Sequence, residues 1–517
     1  MKLVTVSEMK AIEAQADANG ISYAQMMENA GRGLAEIVLE LGFALQWEEV
    51  IGLVGPGNNG GDTLVALARL AREGWRARAY CVKRKTKNDP LAQRLLEAGG
   101  EILSAEEDDE FDSLNAFLES ADVLLDGLLG TGIKLPLKPD MAGVLFSTSG
   151  MLASLAEPPF IVAVDCPSGV NCDTGAAADE CLAADLTVTM AAVKQGLLRF
   201  PAFELAGELE VVDIGLPDDL PALTQIQRIV PDFELVADLL PPRPADSHKG
   251  TFGTALIAAG SVNYTGAAYL SAKAAYRVGA GLVTLAVAAP LHAALAGQLP
   301  EVTWLTLPHD NGFIARAGVI TVIQNVSRST ALLVGPGFGM EETTRDFLAK
   351  LLEAKLPPLV VDADGLKLLA QIPDWHKKLP ALSVLTPHPG EMSVLTGLSK
   401  EEIQSDREAI ALKYAKEWGH VVVLKGAFTV IAAPDGRIAV IPVASAALAR
   451  AGTGDVLAGL IVGLRAQGLE GYEAALAGAW IHAQAGLAAL NEVGSAASVL
   501  AGDVLDCVND VMSELNV

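Results

Sequence analysis

The amino-acid sequence predicts an α/β protein built as two domains, each a mostly parallel sheet covered by helices. Three observations lead there. The chain has 517 residues, more than one hydrophobic core usually organises. Short apolar runs alternate with helical patterns along most of it, as strands buried on both faces require. Residues 217–245 break that alternation with six prolines (Pro217, Pro221, Pro231, Pro241, Pro242 and Pro244), which suits a connector. The expected organisation is a domain at 1–216, a linker at 217–245 and a domain at 246–517.

Taken in order, EVIGLVG precedes the helical DTLVALARLAREG, and RARAYCV precedes an amphipathic stretch to Ala98. ADVLLDGLLG, PFIVAVDCPSG, ADLTVTM and GELEVVDIG complete the first set of strands. Beyond the linker come GTALIAAGS, GLVTLAV, ALLVGPGFG, PLVVDADGL, ALSVLTPHPG and HVVVLKGAFTVIAAPDG, then a closing set of Ala/Leu helices. Many of these runs end in Gly- or Asp-bearing loops. Open α/β sheets bind ligands outside the carboxyl ends of their strands, so chemistry is expected there.

Composition narrows the function classes. Lys plus Arg total 37 against 63 Asp plus Glu, a formal charge of −26 that repels nucleic acid and anionic membranes. Anionic ligands then need a local device such as a helix N-terminus. Five cysteines without a CxxC or Cys/His ligand spacing point to reduced thiols in a cytoplasm and away from structural zinc. Glu8 and Glu13 precede any apolar run of signal-peptide length, so no export signal is expected. The most apolar stretch, 279–299, contains Pro290 and His292 and reads as strand, turn and helix rather than a membrane span.

In the first half GPGNNGGD lies between a strand and a helix, and Gly55, Gly57 and Gly60 formally satisfy G-x-G-x-x-G. It is a poor dinucleotide fingerprint. Pro56 lacks an N–H, Asp62 puts a carboxylate where a pyrophosphate would lie, and Lys83, Arg84 and Lys85 replace the acidic residue expected downstream. The loop suits a polar ligand held by Asn amides and backbone N–H groups; the alternative is a plain turn with Asp62 as N-cap. Asp126 and Asp165 each follow a buried apolar run and precede a Gly-bearing turn, where a carboxylate can act as base, bind a cation or merely cap. Asn59, Asp126 and Ser168, with no Cys or His ligand among them, fit a hard cation.

MMENAGR, GPGNNGGD, DGLLGTGI and DCPSGVNCDTG together resemble the NAD(P)HX epimerases, the N-terminal domain of NAD(P)H-hydrate repair proteins, over about residues 1–215. The resemblance implies a Rossmann-like domain. It implies that Asn58, Asn59, Gly60, Gly61 and Asp62 hold the hydrated nicotinamide nucleotide, with Gly130, Thr131, Gly132, Ile133, Lys134, Leu135 and Pro136. It also implies a potassium ion on Asn59, Asp126 and Ser168, and Asp165 as acid/base. Asn171-Cys172 departs from the usual small or acidic pair and leaves Asp165 and Ser168 intact.

In the second half ALARAGTGDVLAGLIVGL interrupts a helix-compatible sequence with Gly452 and Gly454 before Asp455. A Gly-rich turn at a helix start makes an anion hole, and a carboxylate there can take a proton from an attacking hydroxyl. A simple N-cap role for Asp455 is the competing reading. No G-x-x-x-x-G-K-[ST] occurs, which excludes a P-loop. His388 lies between two prolines, as ligand contact or rigid loop, and Lys425-Gly426 lies at a strand end.

The series HKGTFG, GAA, GPGFG, DADGL, TPHPGE, LKGAFT, AGTGD resembles the ribokinase-like ADP/ATP-dependent NAD(P)HX dehydratases over about residues 246–510. That implies nucleotide on Lys425, Gly426, Ala427, Phe428, Thr429 and Gly454. It implies the hydrated substrate near Ala267, Gly337 and His388, and Asp455 as base. The expected activity is bifunctional repair: epimerisation of R- and S-NAD(P)HX, then dehydration of the S form at the expense of ADP, favoured over ATP, with Mg²⁺ a further candidate ion. Partners are then small molecules, with a homo-oligomer left open. The competing function is a ribokinase-like small-molecule kinase fused to a nucleotide-binding regulatory domain; another is a non-catalytic first domain.

Overall fold

In the computed structural model, which describes residues 1–515, the chain divides into two compact units, Met1–Arg228 and Ile229 onward. The division falls inside the proline-rich stretch. That stretch carries short helices, Pro221–Thr224 and Phe233–Leu239. Leu220 and Ile226 are buried in the core of the first unit, while Phe233 packs edge-on against Trp480 in the second.

The main sheet of the first unit has seven strands: Glu49–Val54, Arg76–Cys81, Glu101–Ser104, Val123–Gly127, Phe160–Val164, Leu186–Met190 and Glu208–Val212. Numbered by chain order, they lie 3-2-1-4-5-6-7 and all pair in parallel. The order reverses at the neighbouring strands Glu49–Val54 and Val123–Gly127, and a crevice opens at such a switch point. The helix Tyr23–Leu45 lies so close to the helix Asn58–Arg72 that a Cβ on Gly31 would meet the Val65 side chain at 2.5 Å. Gly31 of the MENAGR motif is therefore a packing residue that brings Met26 and Met27 to the crevice.

The second unit contains nine strands of a ten-stranded sheet whose edge strand, Arg228–Ile229, sits at the junction. Its centre runs Val421–Leu424, Val384–Leu385, Leu359–Val361, Ala331–Val334, Thr254–Ala258 and Leu282–Ala288, all parallel. Val430–Ala432 returns antiparallel beside Val421–Leu424, and Ile438–Val440 pairs antiparallel with Val430–Ala432. The loops after the central strands therefore line up along one sheet edge, next to the helices Thr265–Arg277 and Thr453–Ala466. The apolar 279–299 stretch becomes the strand Leu282–Ala288 and the short helix Ala289–Leu295 with Pro290 in its first turn. Among the described residues no helix is long and apolar enough to cross a membrane.

Candidate functional site

Each unit concentrates its chemistry at strand ends. In the first, the helix Asn58–Arg72 is capped at Gly57 by backbone alone, so Asp62 lies inside the helix and the N-cap reading of Asp62 is corrected. Gly57 in that extended turn starts the helix five residues earlier than the carboxylate suggested. Arg84 donates to the carbonyls of Gly55 and Gly57 at 3.0 and 3.1 Å. This explains the basic residue where a dinucleotide fold would carry an acid: it satisfies the carbonyls of the turn.

Asn59 ties this turn to the next loop by donating its Nδ2 to Leu129 O at 2.8 Å. Ser168 N donates to Asp126 Oδ2 at 2.7 Å, and the Ser168 hydroxyl accepts from Leu129 N at 2.8 Å. Asn59 and Ser168 thus meet at Leu129, and Asp126 joins them through the Ser168 N–H. Asp126 is 1 % exposed, its Oδ1 has no hydrogen-bond partner, and burial raises its pKa. A buried carboxylate oxygen left without a partner beside a hydroxyl and an amide fits a hard cation, which would remove the desolvation cost.

Asp165 follows the strand Phe160–Val164 with φ +65°, a left-handed conformation that aspartate tolerates better than most residues. Its Oδ1 accepts from Met190 N at 3.0 Å, Thr189 Oγ1 at 3.2 Å and Lys194 Nζ. Lys194 is 1 % exposed and also donates to Thr189 Oγ1 and Met190 O at 2.9 and 2.8 Å. A buried ammonium with every proton placed fixes the carboxylate as an ion pair.

Asp165 opens on a cavity of about 430 Å³ whose wall includes Asn58, Asn59, Asp62 and the 130–133 loop. Burial raises Asp62 well above the ordinary carboxylate value, and the charges of Asp165 and Glu13 add to this. Gly130, Thr131, Gly132 and Ile133 line the cavity, whereas Lys134, Leu135 and Pro136 lie outside its wall. Gly60 and Gly61 also lie outside the wall and pack against protein: a Cβ on Gly60 would clash with Gly55 O, and one on Gly61 would meet Met27 Sδ at 2.7 Å.

In the second unit Lys425 is the hub. Its N donates to Pro387 O at 2.9 Å, joining the LKGAFT and TPHPGE loops, and its Nζ binds Asp362 Oδ1 at 2.6 Å with Glu391 Oε2 at 3.7 Å. Asp362 also accepts from Thr386 Oγ1 at 2.6 Å. The helix Thr453–Ala466 is capped by Gly452 at φ +97°, without a side-chain bond. Asp455 is its third residue, so here too the N-cap reading is corrected. A Cβ on Gly454 would stand 3.4 Å from Lys425 Nζ, which brings the glycine turn and the lysine together.

Burial raises the Asp455 pKa to about 7; Asp362, Asp364 and Glu391 push the same way and Lys425 opposes them. A carboxyl poised near neutrality beside backbone N–H groups and an ammonium is equipped to take a proton next to a phosphoryl group.

Gly337 (φ +64°) and Ala267 are neighbours, since a Cβ on Gly337 would lie 2.8 Å from Ala267 Cβ. One turn further along that helix, Ser271 Oγ donates to Asp455 O at 3.1 Å. His388 is neither buried nor idle: as N-cap of the helix Pro389–Thr396 its Nδ1 accepts from Gly390 N and Glu391 N at 2.9 and 3.2 Å. Desolvation lowers its pKa, which keeps that acceptor available. In the 425–429 loop Gly426 and Ala427 are exposed, Phe428 turns inward and Thr429 Oγ1 closes the loop on Gly426 O at 2.9 Å.

Sequence reasoning missed Arg84, Lys194, Glu13 and Asp362 as site residues. Only Asp362 had a usable signal, as the first carboxylate after a buried strand in VVDADGL.

A family model described as NAD(P)H-hydrate dehydratase matches residues 255–509, and one described as YjeF-related protein N-terminus matches residues 23–196. The bifunctional NAD(P)H-hydrate repair enzyme of Moorella thermoacetica is 37% identical over 529 residues, covering 100% of this chain and 97% of that protein. The protein of the same description from Escherichia coli is 34% identical, covering 91% of this chain and 86% of its own. A solved ADP/ATP-dependent NAD(P)H-hydrate dehydratase from Bacillus subtilis, co-crystallized with ATP/Mg²⁺, is 31% identical with a TM-score of 0.47, covering 55% of this chain and 97% of that one.

Proposed function

Since the chain belongs to the bifunctional NAD(P)H-hydrate repair enzymes, we propose that its first unit epimerises R- and S-NAD(P)HX and its second dehydrates the S form at the expense of ADP. The observation that carries the pairing is one acid/base site per unit: Asp165 in the first cavity, Asp455 beside Lys425 and the glycine turn in the second.

In the substrate a water has added at C6, beside the ring nitrogen N1, and the product has lost hydride-donor function. Hydroxide is a poor leaving group. Asp455 takes the proton of the C6 hydroxyl as its oxygen attacks the terminal phosphorus of the nucleotide; the nucleotide's P–O bond breaks and the nucleotide departs one phosphate shorter. The C6 oxygen then leaves as phosphate as N1 donates its lone pair, and loss of a proton from C5 forms the C5=C6 bond and returns the pair to N1. Lys425, Gly454 and the 425–429 loop hold the nucleotide phosphates in this reading, with Ala267, Gly337 and His388 around the nicotinamide. Mg²⁺ would share the phosphate charge. In the first unit Asn58, Asn59, Asp62 and the 130–133 loop hold the substrate. Asn59, Asp126 and Ser168 would hold potassium, which would supply a counter-charge for the substrate's phosphates. Five free thiols support a reducing, cytoplasmic setting.

The overall test supplies purified protein with mixed NADHX epimers, ADP and potassium. Complete recovery of reduced-nicotinamide absorbance is expected; recovery of the S fraction alone removes the epimerase assignment. A stable phosphorylated product would favour the small-molecule kinase instead. ATP run as the alternative nucleotide is expected to give the lower rate.

Dehydration is also expected to depend on pH in a defined direction. Asp455 works as a base only when ionised, so kcat/KM should fall below about pH 7 and level off above it. A flat profile between pH 5.5 and 8 would take Asp455 out of that role.

Asp165→Asn keeps the side-chain shape but leaves Lys194 buried beside a neutral amide. Epimerisation is expected to fall by about 10²-fold or more while dehydration of pure S-NADHX continues. Separating the epimers by chromatography over time checks this.

A further inference from the structure

Epimerisation at a carbon bearing a hydroxyl asks for proton transfer to the departing oxygen and from the incoming one, and a single carboxyl already held by an ion pair covers one of these. The Asp165 Oδ1 is occupied by Met190 N, Thr189 Oγ1 and Lys194 Nζ, which holds that carboxyl in place. Two other carboxyls face the same cavity, Asp62 and Glu13. Asp62 is embedded in the helix Asn58–Arg72 and only 8 % exposed. Glu13 projects from the helix Val6–Ala18 and is only partly covered, so it can exchange protons with solvent between turnovers.

Resting on the epimerase reading of the first unit, we propose that Glu13 is its second proton-transfer residue, working from the N-terminal helix against Asp165 on the strand-end loop. Burial raises the Glu13 pKa, the charge of Asp165 adds to it, and Lys194 and Lys10 oppose. Glu13 therefore holds a proton more readily than an exposed glutamate, which suits an acid. Residue 13 lies before the segment matched by the N-terminal family model, which begins at residue 23.

In the R-to-S direction N1 donates its lone pair toward C6 and the C6–O bond breaks. The leaving oxygen takes the Glu13 proton and departs as water. A second water forms the new C6–O bond from the other face and gives its proton to the Asp165 carboxylate, and the electron pair returns to N1. One water has been exchanged and one proton has moved from Glu13 to Asp165, and solvent resets both. The S-to-R direction runs the same steps with the two roles reversed.

The test uses the full chain with Glu13→Gln, purified R-NADHX and no nucleotide. The expected result is a loss of about 100-fold or more in epimerisation kcat with KM within about threefold of wild type, a split that shows the cavity still binds. Glu13→Ala with added acetate is expected to regain activity in proportion to acetate. In ¹⁸O-water, wild-type epimerisation should place one solvent oxygen at C6 per inversion. A Glu13→Gln kcat within about threefold of wild type overturns the proposal, as does a rise in KM with kcat kept, or inversion without label. Failure of wild type itself to interconvert the epimers would instead overturn the underlying reading.

Discussion

Asp455→Asn is expected to lower dehydration by about 10²- to 10⁴-fold, the range associated with loss of a positioned acid/base, while epimerisation in the same chain stays measurable. The substitution is clean because the carboxylate carries little structure. Gly452 caps the helix through its backbone, and the Ser271 contact goes to the Asp455 carbonyl, which asparagine keeps. The fold should gain rather than lose, since Asp455 is held among Asp362, Asp364 and Glu391 with Lys425 the opposing charge acting on it. At neutral pH an amide there removes like-charge repulsion. Dehydration of pure S-NADHX measured with ADP, beside a thermal melt, checks both halves; a wild-type rate would remove Asp455 from the base role.

Lys425→Met is expected to cost the second unit about 3–5 kcal/mol, because it removes the ammonium from a carboxylate sealed away from water. Asp362 is 1 % exposed and would keep only the Thr386 hydroxyl among its named partners. For a domain of this size the corresponding melting transition should fall by roughly 10 °C, while the transition of the first unit stays where it was. Asp362→Asn combined with Lys425→Met should recover part of the loss, since the unpaired charge is then gone. ADP should raise the wild-type transition and leave that of the lysine variant nearly unmoved. Calorimetry on the three proteins with and without ADP reads all of this, and a Lys425→Met transition within about 1 °C of wild type would show that the pair contributes little.

How far the sequence could be read follows from what is local. Apolar runs such as VVVL and ALLV became central strands because their period and bounding glycines state their conformation without reference to the rest of the chain. Helix starts were less legible: Gly57 and Gly452 cap through the backbone, so nearby carboxylates took a cap reading that the geometry assigns to glycine. Glycines were read as ligand contacts at Gly60 and Gly61, where the close neighbours are Gly55 O and Met27. Lys194 in AAVKQGLL looks like any solvated lysine, and Glu13 like any exposed position of an amphipathic helix.

The sequence by itself determined the two α/β units, the loops where chemistry gathers and the motif residues Asp165, Asp455 and Lys425, because periodicity and turn composition are properties of neighbours along the chain. The tertiary structure alone decided which charges meet. Lys194 reaches Asp165 across 29 residues and Lys425 reaches Asp362 across 63, each through parallel strands that align distant loops at one sheet edge. Burial then sets the strength of those encounters, since a carboxylate's proton affinity depends on the water and charges around it in space.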